Sequence, residues 1–369
     1  ASGTDSPIML ALSGLVAFLP QLLLGPFAGV WIDRLSRKKL AITADLFMGF
    51  CALAFALVFL LGQPPYWAAF LAMGARAVGN VFHTPSIQAI TPLLVPQEEL
   101  MRANGVNQFL QSGAFMLGPV LGAAMFAALP MWAILLTDTL GALIASSLML
   151  IVAIPELPPR EGQAPHFFGE MKGGLAALMR QKPLWLLTLC ATACMAFFLP
   201  LSSYYPLMTS SYFRASAWHA SIVELAYAGG MMLFAALMGS VGDKTKNPLA
   251  LSYLGLLGLG LTSLFCGLLP ATMWGFWVFM VLCGLMGGCG NIYSIPYMAT
   301  LQRSIPPEAQ GRVFSLIGSL MSLAMPVGLI LSGPAAERIG VYGWFFVTGA
   351  AVCLLTLVCF LVSRGLKND

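Results

Sequence analysis

The feature that most constrains this chain is its series of long apolar segments. The first of them, residues 7–32, contains no Asp, Glu, Lys or Arg. A helix needs about 20 apolar residues to cross a bilayer, and a lipid-exposed backbone must satisfy its own hydrogen bonds, which a helix does. We therefore predict an all-α integral membrane protein with eleven spanning helices. The predicted spans cover residues 7–32, 40–62, 66–90, 104–129, 131–155, 184–208, 219–241, 248–270, 272–300, 312–334 and 341–362.

The composition excludes several other classes of protein. Apolar residues make up 59% of the chain and charged residues 9%, whereas a soluble domain carries about 25% charged residues. The net charge of +4 does not indicate nucleic-acid binding, because the basic residues lie in short loops. The sequence contains no phosphate-binding loop, nucleophile elbow, zinc motif or dinucleotide fingerprint, and its eight cysteines all lie inside apolar segments. We therefore predict that the protein is not an enzyme and holds no metal or cofactor.

The basic residues are distributed unevenly between the two sides of the predicted spans. Fifteen of the eighteen Lys and Arg residues lie in one set of loops, Arg214 and Arg338 lie in the opposite set, and Arg76 lies within a span. Because cytoplasmic loops carry the excess of Lys and Arg, we assign the first set to the cytoplasm. This assignment places the C-terminus inside and Ala1 outside, and the expected location is a bacterial cytoplasmic (inner) membrane.

A motif that follows the first span returns once later in the chain. The segment that begins at Gly29 and contains Asp33 resembles the segment that begins at Gly239 and contains Asp243, at an offset of 210 residues. Two further pairs of segments keep this register to within one residue: 79–85 with 290–296, and 95–102 with 305–312. Such parallel repeats are typical of transporters built from two similar halves.

The repeat divides the chain into three parts. We predict an N-terminal bundle at residues 1–155, a cytoplasmic linker with an amphipathic surface helix at 156–183, and a C-terminal bundle at 184–369. A flexible tether is the alternative for the linker. The first bundle has five predicted spans and the second has six, so we expect twelve spans in the intact protein, with the first helix missing from this chain. A protein with eleven helices is the alternative.

These features resemble the major facilitator superfamily. The motif after the first span, here called the hinge motif, matches the superfamily's pattern at Gly29, Asp33, Arg34, Arg37 and Lys38. Residues 25–30, 82–85, 91–96 and 311–326 are similar to Mef-type macrolide efflux pumps of the drug:proton antiporter-3 group. The resemblance implies the major facilitator fold of two pseudo-symmetric helical bundles, and an efflux activity.

The hinge motif is predicted to gate transport. Asp33 and Arg34 end one helix beside helix ends of the other half, where a charge network would hold the cytoplasmic side closed, and the resemblance implies the same role. The alternative is a basic loop that only fixes orientation. The predicted gating residues are Gly29, Asp33, Arg34, Arg37, Lys38, Gly239, Asp243 and Lys244.

A second motif lies within the fourth span. Gly113, Gly118, Pro119 and Gly122 resemble the superfamily's antiporter motif, although the first glycine is one residue out of register. Proline kinks a helix, and glycines let a neighbouring helix approach closely. The resemblance implies a bend at the interface between halves and export rather than import. Ordinary packing of small residues is the alternative.

Charged residues within spans are costly in lipid and often mark functional sites. Arg76 and Asp138 lie at depths that permit an ion pair, and a carboxylate that alternates between a pair and a proton would couple transport to a proton gradient. Glu224 and His83 are further candidates for proton coupling. The alternatives are a structural ion pair, contact of Glu224 with the outer water, and a satisfied interior His83. We interpret Asp45, near the start of a helix, as structural.

A substrate cavity requires apolar and aromatic surface with a few polar groups. Tyrosines and a phenylalanine beside prolines on the sixth and ninth spans fit this description. Amides on the third, fourth and ninth spans would supply polar contacts, or would face another helix. The residues that we predict to line the cavity are Asn80, Asn107, Gln108, Gln111, Phe198, Tyr204, Tyr205, Asn291 and Tyr293.

The sequence thus favours a secondary active exporter of amphipathic, macrolide-like drugs that works by proton antiport and alternating access. The alternative is a major facilitator exporter of another substrate, such as a siderophore or a lysophospholipid. A membrane-embedded enzyme or a receptor would need a fixed polar cluster, which the sequence does not indicate. The expected partners are a small amphipathic substrate and membrane lipids, without nucleic acid, for a monomer driven by the proton gradient.

Overall fold

The computed structural model describes residues 7–62, 64–157, 167–242 and 245–365, and this part of the chain is helical without any strand. The helices, in chain order, are α1 (Pro7–Arg34), α2 (Arg37–Leu61), α3 (Tyr66–Leu94), α4 (Leu100–Ala128), α5 (Met131–Ile151), α6 (Phe167–Arg180), α7 (Lys182–Phe198), α8 (Leu201–Leu207), α9 (Ala217–Val241), α10 (Pro248–Cys266), α11 (Met273–Ser304) and α12 (Pro307–Gly365). A 3₁₀ turn precedes α4 at Gln97–Glu99, and a π-helical turn follows α8 at Met208–Tyr212. The predicted all-α class is confirmed.

Nine helical segments of the described residues are long and apolar enough to cross a membrane. One of them, Lys182–Tyr212, joins α7, α8 and the π-helical turn. Another is α12, whose 59 residues are interrupted at Gly340, where φ is 77° and ψ is 164°. This φ is in the left-handed region, which glycine adopts without steric cost, so α12 consists of two helices, each of spanning length. The 29-residue α3 carries Arg76 and His83 and is less apolar. With it, all eleven predicted spans fall on helices.

The chain divides into two compact units. Unit 1 comprises the residues up to Leu94 together with Leu121–Ala177 and Ile305–Ser322. Unit 2 comprises Val95–Val120, Leu178–Ser304 and the residues from Leu323 onward. Each unit therefore contains a stretch from the other half of the sequence, and the two stretches correspond at the 210-residue offset. The predicted bundle boundaries at 155 and 184 stay a prediction.

The same helix pairings occur in both units. In unit 1, α3 packs against α1 and α2, and in unit 2, α11 packs against α9 and α10. The 210-residue offset relates α1 to α9, α2 to α10 and α3 to α11. The parallel repeat inferred from three short motifs thus extends to the packing of whole helices.

Apolar side chains occur both in the interior and on the outer surface of the helices. Unit 2 buries large rings completely, for example Phe279 and Phe345, whose ring centroids are 5.7 Å apart. The outer faces carry many exposed apolar side chains, among them Leu61 and Ile151. A bilayer solvates such side chains as well as a protein interior does, so this surface is suited to lipid contact.

Candidate functional site

Asp33, at the end of α1, is the centre of a buried charge cluster in unit 1. Its side chain has no exposed area. One carboxylate oxygen accepts a hydrogen bond from the Gly311 amide at 2.7 Å. The other accepts from the Arg312 amide at 3.2 Å and from Arg312 Nε at 2.8 Å. Because a buried charge is costly unless it is paired and hydrogen-bonded, these donors from α12 hold Asp33 in its place.

Gly29 lets α1 and α12 approach closely enough for these bonds to form. A Cβ atom added at Gly29 would lie 2.6 Å from Arg312 Cα and 2.9 Å from the Gly311 carbonyl oxygen. A side chain at this position would push the two helices apart. The glycine of the hinge motif therefore permits the close contact of α1 with α12.

The basic residues of the hinge motif have different partners. Arg37 is buried, lies 3.4 Å from Asp33, donates to the Ala89 carbonyl at 2.8 Å, and also donates to the Pro307 carbonyl. Lys38 instead donates to two carbonyls at the end of α5, those of Leu150 and Val152, at 2.9 and 2.8 Å. Cations favour the C-terminal end of a helix, so Lys38 caps α5 and does not join the ion pairs.

Arg34 pairs with Glu170, a residue of the linker helix α6. Arg34 Nε lies 3.0 and 3.3 Å from the two carboxylate oxygens, and the guanidinium makes a further bond to the same group. The backbone carbonyl of Glu170 accepts from Arg312 at 3.2 Å, and a Cβ atom on Gly174 would lie 2.8 Å from Arg312 Cβ. The linker helix is thus bonded to the same arginine as Asp33. We call Asp33, Arg34, Arg37, Glu170 and Arg312 the Asp33 cluster.

Replacing Glu170 with Gln is expected to loosen α6. The Arg34–Glu170 pair is partly exposed, so water screens it and its loss should raise the hydrogen exchange of α6 amides only severalfold. Lys172→Gln, which removes an exposed charge from the same helix, is the matched control and should leave exchange unchanged. Equal exchange rates in all three proteins would show that the pair does not hold α6.

The second copy of the hinge motif makes an equivalent contact in unit 2. A Cβ atom on Gly105 of α4 would lie 2.6 Å from Gly239 Cα on α9. At the 210-residue offset, Gly239 corresponds to Gly29 and Gly105 corresponds to Ser315, which lines the α1–α12 contact. Asp243 and Lys244, also predicted for this motif, lie outside the described residues.

The residues of the antiporter motif lie on α4, and its glycines are loosely packed in the described residues. Pro119 lies within the continuous helix α4. A Cβ atom on Gly118 or Gly122 would meet no described atom within 4 Å, and one on Gly113 would only reach the Met232 methyl at 3.8 Å. Within the described units these glycines are therefore not in tight contact with another helix, and the bend between the halves that the resemblance implies stays a prediction. Small size allows close contact but does not by itself produce it.

The predicted intramembrane charges lie at three separate places. Arg76 of α3 and Asp138 of α5 form an ion pair in unit 1, with side chains 57% and 43% exposed. His83 Nε2 lies 3.4 Å from Asp45 Oδ1, so Asp45 has a partner that sequence reasoning did not assign to it. Glu224 belongs to unit 2.

Glu224 lies in an apolar cavity of about 280 Å³ in unit 2. Tyr205 lines the same cavity as Glu224. Phe198 and Tyr205, both predicted as cavity residues, line it. The other lining residues are Phe115, Leu199, Leu201, Ser202, Val223, Tyr227, Met231, Cys283, Met286 and Phe345.

Three other residues predicted for the substrate cavity do not line this one and make contacts within unit 2. Tyr204 is hydrogen-bonded to Ser332 at 2.9 Å, and buried Asn291 donates to the Met231 carbonyl at 2.7 Å. Tyr293 is buried and its ring is stacked on that of Tyr297. Their helices are apolar on all sides, so the sequence did not indicate which face points inward.

The predicted amides on α3 and α4 do not line this cavity either. Asn80 is exposed, and Gln111 donates to Asn107 at 3.3 Å on an exposed surface of α4. Gln108 is half-buried on the same helix. Asn104, one turn earlier, is buried and donates to Gln302 of α11 at 2.6 Å. The amide face of α4 therefore contacts another helix at one end and is exposed beyond it.

Together these features define a polytopic membrane protein with paired charges at helix ends, a charge pair within its spans and an apolar cavity. The sequence profile of the Major Facilitator Superfamily matches residues 2–328 and 221–368. The chain belongs to the Major Facilitator Superfamily. Proteins of this family are multi-pass membrane transporters of small molecules, which agrees with the predicted class.

Comparison with individual proteins gives closer similarities. The chain is 39% identical to macrolide efflux protein A of Streptococcus pyogenes, over 99% of this chain and 90% of that protein. It is also 39% identical to macrolide efflux protein A of Enterococcus faecalis, over 88% of this chain and 99% of that protein. Among solved structures, the human organic anion transporter MFSD10 (TETRAN) superposes with a TM-score of 0.77 at 18% identity, covering 94% of this chain and 83% of that one. This last similarity concerns the fold alone.

Proposed function

We propose that this protein exports amphipathic drugs, macrolides among them, in exchange for protons. The observation that carries the proposal is the 39% identity to a macrolide efflux protein along 99% of the chain. The apolar cavity beside Glu224 supports it, because such a cavity suits the hydrophobic part of a drug.

The geometry supports a division of roles. The Asp33 cluster would act as a gate that closes the cytoplasmic side, and access to the cavity would alternate as this gate forms and breaks. The Arg76–Asp138 pair would couple the cycle to the proton gradient, with the His83–Asp45 pair as a second candidate. The protein would act as a monomer in a bacterial cytoplasmic membrane, with its C-terminus in the cytoplasm and the proton gradient in place of a cofactor.

Drug accumulation in cells tests this proposal directly. Bacteria deficient in their own drug efflux would express the protein and take up radiolabelled erythromycin, with and without a protonophore. Expression is expected to lower the steady-state level severalfold, and the protonophore should abolish the difference from cells that carry an empty vector. Unchanged accumulation would contradict drug export, and export that persists after the gradient has collapsed would contradict proton coupling.

A further inference from the structure

The cavity of unit 2 contains one carboxylate in apolar surroundings. Glu224 is half-buried on α9, and the other polar side chains that line the cavity, those of Ser202, Tyr205 and Tyr227, are neutral hydroxyls. No Lys, Arg or His is among the described residues that line the cavity.

Three carboxylates elsewhere in the described residues are each paired with an arginine. Asp33 is bonded to Arg312, Asp138 to Arg76, and Glu170 to Arg34. Among the described residues, Glu224 forms no such pair. An ionised carboxylate in apolar surroundings is stabilised by an opposite charge within a few ångströms. A bound cation would supply the charge that the protein does not.

The walls of the cavity are also suited to a cation. Five of the lining residues are aromatic, and aromatic faces attract an onium group within about 6 Å of the ring centroid. Met231 and Met286 add flexible, polarisable surface that adapts to ligands of different shapes. The aromatic lining residues are Phe115, Phe198, Tyr205, Tyr227 and Phe345.

We propose that Glu224 is the recognition point for one positively charged nitrogen or other onium centre, and that this cavity binds hydrophobic monocations. A second positive charge on the ligand would have no partner here. The cavity of about 280 Å³ lies below the range of about 300–1,000 Å³ that holds a whole drug-sized ligand. It therefore accepts a small monocation, or the cationic arm of a larger amphipathic molecule. This inference rests on the proposed function in treating the cavity as the substrate site.

The test compares two probes of similar size that differ in charge. Methyltriphenylphosphonium is a permanent cation, and triphenylphosphine oxide is neutral. Their binding to the purified full chain in lipid nanodiscs would be measured by equilibrium dialysis, with empty nanodiscs as the blank. Three proteins would be compared: the wild type, Glu224→Gln, and Glu337→Gln, which neutralises an exposed carboxylate outside the cavity.

The wild type and Glu337→Gln are expected to bind the cation about tenfold more tightly than the neutral probe, because a charge-assisted contact is worth more than a neutral one. Glu224→Gln should lose this preference while its affinity for the neutral probe stays the same. A preference that survives in Glu224→Gln would overturn the proposal, as would an equal loss for both probes. If Glu224→Gln does not fold, the wild type alone still tests the proposal. Equal binding of the two probes by the wild type would overturn the proposed preference for a cation.

The accumulation experiment separates this inference from the proposed function. If the cation preference depends on Glu224 but no gradient-driven export of erythromycin occurs, the proposed role of Glu224 in binding a cation is supported and drug export is refuted. Gradient-driven export with equal binding of the two probes would refute the recognition point only.

Discussion

Asp33→Asn is expected to abolish drug efflux, because it removes the charge at the centre of the Asp33 cluster. The substitution leaves Arg312 and Arg37 without their buried counter-charge, and the loss of one partner of a buried ion pair costs about 3–5 kcal/mol. This corresponds to a shift of roughly a hundredfold or more toward the state in which α1 and α12 have separated. A cysteine at Ser315, which is fully buried in that contact, would report the shift. Its labelling rate by an impermeant maleimide in inside-out vesicles should rise by a similar factor.

Lys39→Gln is the matched control for this experiment. It removes one exposed charge from the first turn of α2, close to Asp33 in the sequence. Efflux and the labelling of the cysteine at position 315 should both stay at wild-type levels in this variant. If Asp33→Asn also behaves like the wild type, the hinge motif fixes only the orientation of the chain, as its basic residues would allow.

Asp138→Asn is expected to eliminate gradient-driven transport while leaving substrate exchange intact. Asparagine has almost the same shape as aspartate but does not bind or release a proton at physiological pH. The side chain at position 138 could therefore no longer alternate between an ion pair with Arg76 and a protonated state. In proteoliposomes, uptake driven by an imposed pH difference should fall at least about tenfold, whereas counterflow of labelled against unlabelled erythromycin should continue.

The double variant Arg76→Gln/Asp138→Asn separates coupling from a structural ion pair. Asp138→Asn alone leaves Arg76 without its partner, and removal of both charges relieves that cost. If the pair is only structural, the double variant should recover gradient-driven uptake. If Asp138 carries the proton, gradient-driven uptake should stay absent and counterflow should persist.

The sequence predicted the helices and the repeat well because both depend on local patterns. Runs of apolar residues determine the spans. The hinge motif and its second copy are 210 residues apart, and this offset was sufficient to align α1 with α9. The depths of Arg76 and Asp138 in their spans also sufficed to predict their ion pair, which the structure contains. The proposed roles of these residues stay predictions.

The partners across the fold were not predictable in the same way. Arg312 and Glu170 were not identified as members of the Asp33 cluster, because nothing local indicates a contact across more than a hundred residues. The helix faces of Asn291 and Tyr293 were uncertain for a different reason. Lipid is as apolar as the side chains of a helix interface, so an inward-facing and a lipid-facing surface have similar compositions.

The double attachment of Arg312 has a consequence for how transport could be inhibited. Its guanidinium is bonded both to the Asp33 carboxylate and to the backbone carbonyl of Glu170 on α6. Because Arg34 of α1 is bonded to the Glu170 side chain, separation of α1 from α12 would also have to break a contact to α6. Under the proposed function, an antibody fragment that holds α6 against both helices is therefore expected to slow efflux. Such an inhibitor would bind residues that do not line the apolar cavity of unit 2, so substitutions in that cavity are not expected to weaken its effect.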